Sequence, residues 1–168
     1  FWKSANTVQA NEDLIEVLTL NEQYLSPTFV KTNIGNELTK INSHLTLLLC
    51  DKEKNENNCG LLQLKEITEP DLLYKQYFYR TATNDTMKKD LKNLVNQVIE
   101  IVKPLQDDII IDIGSNDCTM LNFYEDKYRL VGFEPAENIK FLTTEKNIKV
   151  INTYFNSKDF EKNFHAEK

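Results

Sequence analysis

The sequence predicts an α/β protein in which a partial parallel sheet follows a small β domain and a long helix. Residues 109–113 form a β-branched run that ends in a glycine turn, which is typical of a strand buried in a parallel sheet. Strand-like and helix-like patterns alternate from there, so residues 109–155 are predicted to form a βαβαβ unit. Residues 85–102 precede this unit and have the spacing of an amphipathic helix.

Residues 1–70 are predicted to form the small β domain. Two short apolar runs, 45–50 and 59–64, have the composition of strands. The charged, asparagine-rich residues 51–58 between them predict the polar tip of a hairpin. The polar residues 31–43 predict a loop before the hairpin.

Residues 71–104 are predicted to form an aromatic segment followed by the long helix. Tyrosine and phenylalanine are concentrated at residues 74–79, which we interpret either as core packing or as part of a substrate pocket. Residues 83–86 offer several N-cap side chains. Apolar residues then recur every three or four positions until Pro104, which closes the helix.

Residues 105–168 are predicted to contain the parallel sheet. Because parallel strands present their carboxyl ends at one edge, the turns that follow them are expected to lie together. The predicted elements are strands at 109–113, 129–134 and 149–155, helices at 119–126 and 138–146, and a polar tail.

The amino-acid composition and net charge argue against some classes of function. A net charge of −6 argues against a nucleic-acid partner, since such proteins usually carry a basic face. No apolar run approaches the roughly 20 residues that cross a bilayer, so no membrane association is expected. The three widely spaced cysteines favour a reducing, cytoplasmic setting over a disulfide framework. Because the chain opens on Phe1 rather than methionine, we expect a fragment, a processed form or an incomplete gene model.

The turn after the first parallel strand has the features of a ligand site. Gly114 allows a tight turn and a close approach of a ligand, and Asn116 tolerates left-handed backbone. The backbone N–H groups of residues 115–118 are expected to point at a polar ligand. Glu134 follows Asp112 by about 20 residues, a separation at which an acidic residue commonly accepts the hydroxyls of a ribose.

Asp112 and Asp117 favour one class of ligand at this turn. Negative charge disfavours a pyrophosphate but suits a ligand that carries an ammonium and a sulfonium group, as S-adenosylmethionine does. The main alternative is the dinucleotide of an NAD-dependent oxidoreductase, although Asn116 and Cys118 replace the glycines that its turn requires. In a purely structural interpretation, Asp112 ends a strand and Asp117 caps a helix.

Four segments of the sequence carry a resemblance to a known family, namely Tyr77-Phe-Tyr-Arg80, Asn84-Asp-Thr-Met87, Asp112-Ile-Gly-Ser-Asn-Asp117 and Gly132-Phe-Glu-Pro135. Together they resemble the C-methyltransferases that act on nucleotide-linked deoxysugars. Proteins of this family have a small zinc-binding N-terminal domain, a central class I methyltransferase domain with a Rossmann-like sheet, and a C-terminal domain. The resemblance extends from about residue 14 onward.

The resemblance implies a cofactor, a substrate and roles for some of the matching residues. It implies S-adenosylmethionine as the cofactor and a nucleotide sugar as the substrate. Glu134 is implied to bind the ribose of the methyl donor. The candidate residues of the donor or sugar pocket are Tyr77, Tyr79 and Arg80. Further donor contacts are implied for Asp112, Gly114, Ser115, Asn116 and Asp117.

The sequence departs from this family pattern at two places that involve cysteine. A structural zinc site needs four ligands, but residues 6–9 are Asn-Thr-Val-Gln where the family has Cys-x-x-Cys. Cys50 and Cys59 are the remaining candidate ligands. We therefore expect a degenerate zinc-ribbon-like domain, and we do not expect it to bind zinc. Cys118 stands where the family turn continues with glycine, and we expect it to be a small buried hydrophobe rather than a nucleophile.

The predicted sheet is smaller than that of a class I methyltransferase domain. Three strands are predicted where the family has seven, so residues 109–113 are expected at an exposed sheet edge. A missing C-terminal portion or a partner chain is expected to complete the sheet, and the chain alone is expected to be inactive. The alternative is a non-catalytic binding module or a decayed copy of such an enzyme.

Overall fold

The computed structural model describes residues 2–4, 14–24, 42–139 and 146–164. The chain divides into two compact units, Phe1–Leu73 and Tyr74–Lys168. The finer predicted division at residues 70 and 104 stays a prediction. Within the ranges just given, no helix is long and apolar enough to cross a membrane.

The first unit is built from antiparallel strands. The strand β1 pairs with β5, and a separate three-stranded sheet has the order β2-β3-β4. These strands are β1 (Trp2–Ser4), β2 (Leu14–Tyr24), β3 (Asn42–Cys50), β4 (Leu62–Leu64) and β5 (Glu66–Thr68).

The predicted hairpin over residues 45–64 is confirmed. Strands β3 and β4 pair antiparallel, with Leu47 opposite Leu64. The polar tip is held by Asn58, whose side-chain amide donates to the carbonyl of Asp51 at 2.7 Å. The second strand begins later than predicted because Gly60 has a φ of 72°, outside the range of a regular strand.

Two differences from the sequence prediction concern the start of this unit. The sequence does not predict β2, because residues 14–24 mix apolar and polar side chains without strict alternation. Most of β2 is exposed to solvent, so burial imposes no alternating pattern on it. Of the predicted loop at 31–43, Asn42 and Ser43 belong to β3, and the remainder lies outside the described residues.

The long helix forms where the sequence predicts it. Its first turn is capped by Asn84, whose side-chain oxygen accepts the N–H of Met87 at 3.0 Å. Lys103 then adopts left-handed backbone with a φ of 52°, which ends the helix just before Pro104. The helices of this part of the chain are α1 (Pro70–Tyr74) and α2 (Asp85–Val102).

The second unit contains the predicted parallel sheet. Its strands lie in the order β6-β7-β8, and both pairings are parallel, with Ile111 opposite Val131 and Val131 opposite Lys149. This mixed α/β arrangement is compatible with a partial Rossmann-like fold. The strands are β6 (Ile109–Ile113), β7 (Arg129–Phe133) and β8 (Ile148–Ile151), the last ending before the predicted residue 155.

The strand β6 lies at an edge of this sheet, as predicted. Among the described residues no strand pairs with its outer side. Its residues are only half-buried, and Ile113 is exposed, whereas the central strand β7 is buried from Leu130 to Phe133. Central strands of parallel sheets are covered on both faces, so β7 forms the middle of the hydrophobic core.

The core of this unit joins α2, the sheet and the turn after β6. Cys118 is only 3% exposed and packs within this cluster, which confirms its predicted role as a small buried hydrophobe. Full burial of a side chain such as Leu121 stabilises the fold by about 1.5–3 kcal/mol. The fully buried members of the cluster are Val95, Cys118, Leu121, Tyr124, Tyr128 and Leu130.

The prediction of a helix over residues 119–126 is wrong. The structure has a single 3-10 turn there, Leu121–Phe123. Cys118 has a φ of 62°, and the Asp117 carboxylate accepts the N–H of Thr119 at 3.2 Å, so the chain enters this segment through a side-chain turn. The other predicted helix, 138–146, falls largely on residues 140–145, which lie outside the described part of the chain.

A third helix, α3 (Ser157–Phe164), occupies the segment predicted as a polar tail. Its start is capped by Asn156, whose side-chain oxygen accepts the N–H of Asp159 at 2.9 Å. Phe160 and Phe164 lie one turn apart, with their ring centroids separated by 5.0 Å. The capping asparagine and this phenylalanine pair are the sequence signals that indicate the helix.

Candidate functional site

The turn after β6 is shaped by left-handed residues. Gly114 has a φ of 81°, Asn116 a φ of 49° and Cys118 a φ of 62°. The predicted left-handed conformation of Asn116 is therefore confirmed, and Cys118 adds a second non-glycine residue in this region. Each reversal changes the direction of the chain, so a short segment folds back over the carboxyl ends of β6 and β7.

The backbone N–H groups of this turn are engaged within the protein. Those of Ser115 and Asn116 donate to the carbonyl of Phe133 at 3.1 Å and to a carboxylate oxygen of Glu134 at 2.8 Å. That of Cys118 donates to the carbonyl of Ser115 at 2.8 Å. The expectation that residues 115–118 direct their N–H groups at a ligand is wrong for these three.

Glu134 is the acceptor around which the turn closes. It follows β7 directly and is only 6% exposed. One carboxylate oxygen accepts the N–H of Asn116, and the other accepts the N–H of Ala136, both at 2.8 Å. Charge-assisted hydrogen bonds of this kind are about twice as strong as neutral ones, so Glu134 fixes the ends of two turns.

Asp112 lies in β6, the strand next to β7, which Glu134 follows. It sits in β6 opposite Gly132, and it is partly buried. The pKa of Asp112 is raised from its ordinary 3.8 to about 6. The main cause is burial of the carboxyl group, and the second is the neighbouring negative charge of Glu134. The site thus holds a partly buried carboxyl group, Asp112, whose charged form is disfavoured, near the buried carboxylate of Glu134.

We expect Asp112→Asn to stabilise the protein at neutral pH. Between pH 3.8 and about 6 the folded state binds more protons at Asp112 than the unfolded state, so this group makes stability fall as the pH rises through that window. The penalty, fully present above about pH 6, is at most about 2 kcal/mol because the carboxyl stays partly solvated. Urea denaturation of both proteins from pH 4 to 8 measures the difference, which should grow with pH.

The exposed Asp90 of α2 provides the control for this series. Asp90→Asn removes a carboxylate outside the site and should leave the unfolding free energy within about 0.5 kcal/mol at every pH. A constant difference between Asp112→Asn and the unsubstituted protein over the whole pH range would contradict the assignment.

The side chains of Asn116 and Asp117 hold the segment that precedes α2. Asn116 donates to the carbonyl of Tyr79 at 3.0 Å and accepts the N–H of Thr81 at 3.0 Å. Asp117 is buried, and its carboxylate accepts the N–H of Ala82 at 2.7 Å. Asp117 therefore has a clear structural function, and its predicted contact with a methyl donor stays a prediction.

A cleft of about 340 Å³ lies between this turn, the end of β7 and the aromatic segment. It brings together four of the residues proposed from the sequence, namely Gly114, Asn116, Glu134 and Tyr77. Aromatic side chains form much of the rest of its wall. The lining residues are Tyr74, Tyr77, Ile113, Gly114, Asn116, Phe133, Glu134, Pro135, Tyr154 and Phe155.

The other proposed site residues are not in the lining of this cleft. Asp112 lies in β6, and Ser115 and Asp117 are buried residues of the turn. Tyr79 is half-buried, and Arg80 is exposed, with its carbonyl accepting the hydroxyl of Thr83 at 2.7 Å. Their contacts with a ligand stay predictions.

The sequence does not single out the residues that follow β8. Tyr154 and Phe155 reach the cleft because β8 is parallel to β7 and its carboxyl end meets the same edge. The Phe155 ring packs edge-on against Phe133, with centroids 5.0 Å apart. An aromatic pair at the end of the third predicted strand, residues 149–155, was the available signal.

Cys118 has no nucleophilic character in this setting. Burial is the main cause that raises the pKa of its thiol, and nearby carboxylates act in the same direction. The thiol donates to the Ser115 hydroxyl at 3.8 Å. A protonated, buried thiol is a packing group.

The two candidate zinc ligands supply half of the set that a zinc site needs. Cys50 is buried at the end of β3, and Cys59 is exposed in the hairpin tip. Hydrogen bonds, first from the Leu61 backbone and then from Cys50, lower the pKa of the Cys59 thiol. Across the described ranges no group of three or more His, Cys, Asp or Glu residues is placed to hold a metal, so these residues do not fit a structural zinc.

Comparison with known proteins identifies one informative similarity. No protein-family model matches the chain. The C-methyltransferase NovU of Streptomyces niveus is 26% identical to it over 94 residues, which is 55% of this chain and 22% of that relative. The chain therefore spans less than a quarter of the length of the curated relative, and its similarity to a methyltransferase covers just over half of its own residues.

Proposed function

We propose that this chain is the donor-binding part of an S-adenosylmethionine-dependent C-methyltransferase. The observation that carries the proposal is the buried Glu134 carboxylate, which lines a cleft beside a turn in which the N–H groups of Ser115, Asn116 and Cys118 are already engaged. Such a site attracts a ligand that brings its own hydrogen-bond donors. The similarity to a C-methyltransferase supports the same class of reaction.

The charge of the site supports a cationic ligand over a phosphate. Asp112 and Glu134 place negative charge at the turn, whereas a pyrophosphate needs unengaged N–H donors or a basic cradle. The single 3-10 turn Leu121–Phe123 replaces the helix N-terminus that would favour a phosphate. These features argue against the alternative of a dinucleotide-dependent oxidoreductase.

Five of the lining residues have a function in this proposal. Glu134 accepts the ribose hydroxyls, and Gly114 leaves room for close approach because no atom lies within 4 Å of where its Cβ would be. Tyr77 and the aromatic pair after β8 exclude water from the cleft. S-Adenosylmethionine supplies an electrophilic methyl group on a sulfonium.

The acceptor that we propose is the ketone form of a nucleotide-linked deoxysugar. A base would remove a proton from the carbon next to the ketone, and S-adenosylmethionine, held at Glu134 and Gly114, would supply the methyl group that this carbon accepts. Tyr79 and Arg80 are proposed on the acceptor side. Holding the two reactants in line supplies much of the rate of such a transfer.

We further propose that methyl transfer requires additional polypeptide at the edge of the sheet. The half-buried, apolar strand β6 has no neighbour on its outer side among the described strands, and such an edge favours pairing with another strand. A C-terminal portion or a partner chain would supply this additional strand.

The free thiols Cys50, Cys59 and Cys118 support a reducing, cytoplasmic setting.

Isothermal titration calorimetry with S-adenosylhomocysteine tests this proposal. We expect one site per chain with a dissociation constant on the order of 1–100 µM, in the range usual for enzyme substrates, and no heat with NAD. We expect no methyl transfer to a nucleotide sugar by this chain alone. Absence of binding would favour the alternative of a non-catalytic module, and binding of NAD would favour the oxidoreductase.

A further inference from the structure

The aromatic segment, residues 74–80, is held along its backbone by groups from the carboxyl edge of the sheet. The side-chain amide of Asn138 donates to the carbonyl of Tyr77 at 2.7 Å, and its oxygen accepts the N–H of the same residue at 2.9 Å. One asparagine thus satisfies both backbone groups of one residue, as a neighbouring strand would.

The same pattern continues on both sides of Tyr77. The N–H of Glu137 donates to the carbonyl of Lys75 at 3.0 Å, and Asn116 binds the carbonyl of Tyr79. The anchored residues alternate along the chain, at 75, 77 and 79. The segment is therefore fixed at every second residue from 75 to 79.

This anchoring sets the position of the Tyr77 ring. Tyr77 lines the cleft and packs against Tyr74 and Phe78, with ring centroids 6.1 Å and 5.7 Å away. Asn138 is half-buried and is not a lining residue, so it meets a ligand only through the segment that it holds.

We propose that Asn138 is a positioning residue of the donor site, which holds the Tyr77 ring against the bound ligand. The inference rests on the proposed donor binding in this cleft. An asparagine suits the role because its amide group both donates and accepts, whereas aspartate cannot donate to the Tyr77 carbonyl.

A double-mutant cycle on the affinity for S-adenosylhomocysteine tests the inference. Asn138→Ala removes two hydrogen bonds and should weaken binding about tenfold, and Tyr77→Ala should weaken it by a similar factor. If Asn138 acts through Tyr77, the double variant will bind as weakly as either single variant, not about 100-fold more weakly than the unsubstituted chain. Calorimetry gives the dissociation constants.

Two further variants control for effects on the fold. Asn138→Asp keeps the size of the side chain and the acceptor for the Tyr77 N–H, and it should also weaken binding; melting curves show whether each variant is folded. Asn163→Ala removes a comparable side-chain hydrogen bond, 2.7 Å to the carbonyl of Asp159, and should leave binding unchanged.

The possible results separate the inference from the proposed function. If the unsubstituted chain does not bind S-adenosylhomocysteine, both fail. If the unsubstituted chain binds and folded Asn138→Ala and Asn138→Asp bind as tightly as it does, only the role of Asn138 is overturned. The same holds if the losses of affinity from Asn138→Ala and Tyr77→Ala multiply in the double variant.

Discussion

Replacement of Glu134 by alanine is expected to lower the affinity for S-adenosylhomocysteine at least about 100-fold and to destabilise the fold by about 2–4 kcal/mol. The carboxylate accepts two backbone N–H groups, at Asn116 and Ala136, and hydrogen bonds to charged groups contribute about 1.5–3 kcal/mol each. Removing it leaves both donors without their acceptor and removes the proposed ribose contact. Calorimetry and urea denaturation measure the two effects.

Glu134→Gln separates the charge from the shape of this side chain. Glutamine keeps one acceptor oxygen but turns an NH2 group toward one of the two backbone donors, so it should recover only part of the stability. Affinity should remain at least about tenfold below that of the unsubstituted chain. Glu125→Ala serves as the control, because Glu125 is an exposed residue paired with Lys127. Affinity of Glu134→Gln equal to that of the unsubstituted chain would contradict the proposed role.

The second large effect is expected from Gly132→Ala. A Cβ at this position in β7 would lie 2.5 Å from the hydroxyl oxygen and 2.9 Å from the Cβ of Ser115. Both distances are shorter than van der Waals contact, so Ser115 and the turn must move. We expect a loss of about 1–3 kcal/mol of stability, typical of overpacked sites, together with weaker binding of S-adenosylhomocysteine.

A rescue experiment tests the cause of this loss. Ser115→Gly removes both clashing atoms, so Gly132→Ala should cost less in the Ser115→Gly background than in the unsubstituted chain. Gly114→Ala is the matched control. Its Cβ would meet no atom within 4 Å, but its φ of 81° strains any side chain, so a loss of about 1–2 kcal/mol should persist in that background. Equal cost of Gly132→Ala in both backgrounds would show that Ser115 is not the obstacle.

Local sequence patterns predict the regular elements of this protein well where a single physical rule governs them. The helix α2 follows from apolar spacing, an Asn84 cap and Pro104 beyond its end. The parallel sheet follows from β-branched runs separated by glycine and proline turns. The exposed strand β2 is missed because solvent imposes no alternation on it.

The turn after β6 shows where such patterns fail. The apolar residues Met120, Leu121 and Phe123 suggest a helix, but the preceding left-handed Cys118 and the Asp117 side chain direct the chain into a 3-10 turn. Its glycine and asparagine predict a ligand cradle of N–H groups, yet the N–H groups of Ser115 and Asn116 close the turn on Phe133 and Glu134. A local pattern does not reveal which acceptor folds back onto a donor.

The aromatic segment illustrates a limit of a different kind. Resemblance to a family implies that Tyr77 lies near the donor or sugar pocket, which stays a prediction, and in the structure Tyr77 lines a cleft. The group that holds it is Asn138, 61 residues later in the sequence, and no local pattern joins the two. Only the tertiary structure brings this amide to the backbone of the segment.

A titration of the isotopically labelled chain with S-adenosylhomocysteine, followed by amide nuclear magnetic resonance, tests the central claim most directly. We predict saturable shifts at Gly114, Asn116, Glu134 and Tyr77, around the cleft at the carboxyl ends of β6 and β7. Shifts confined to Lys127 and Lys149, which line a separate cleft elsewhere on the sheet unit, or no shifts at all, would contradict it.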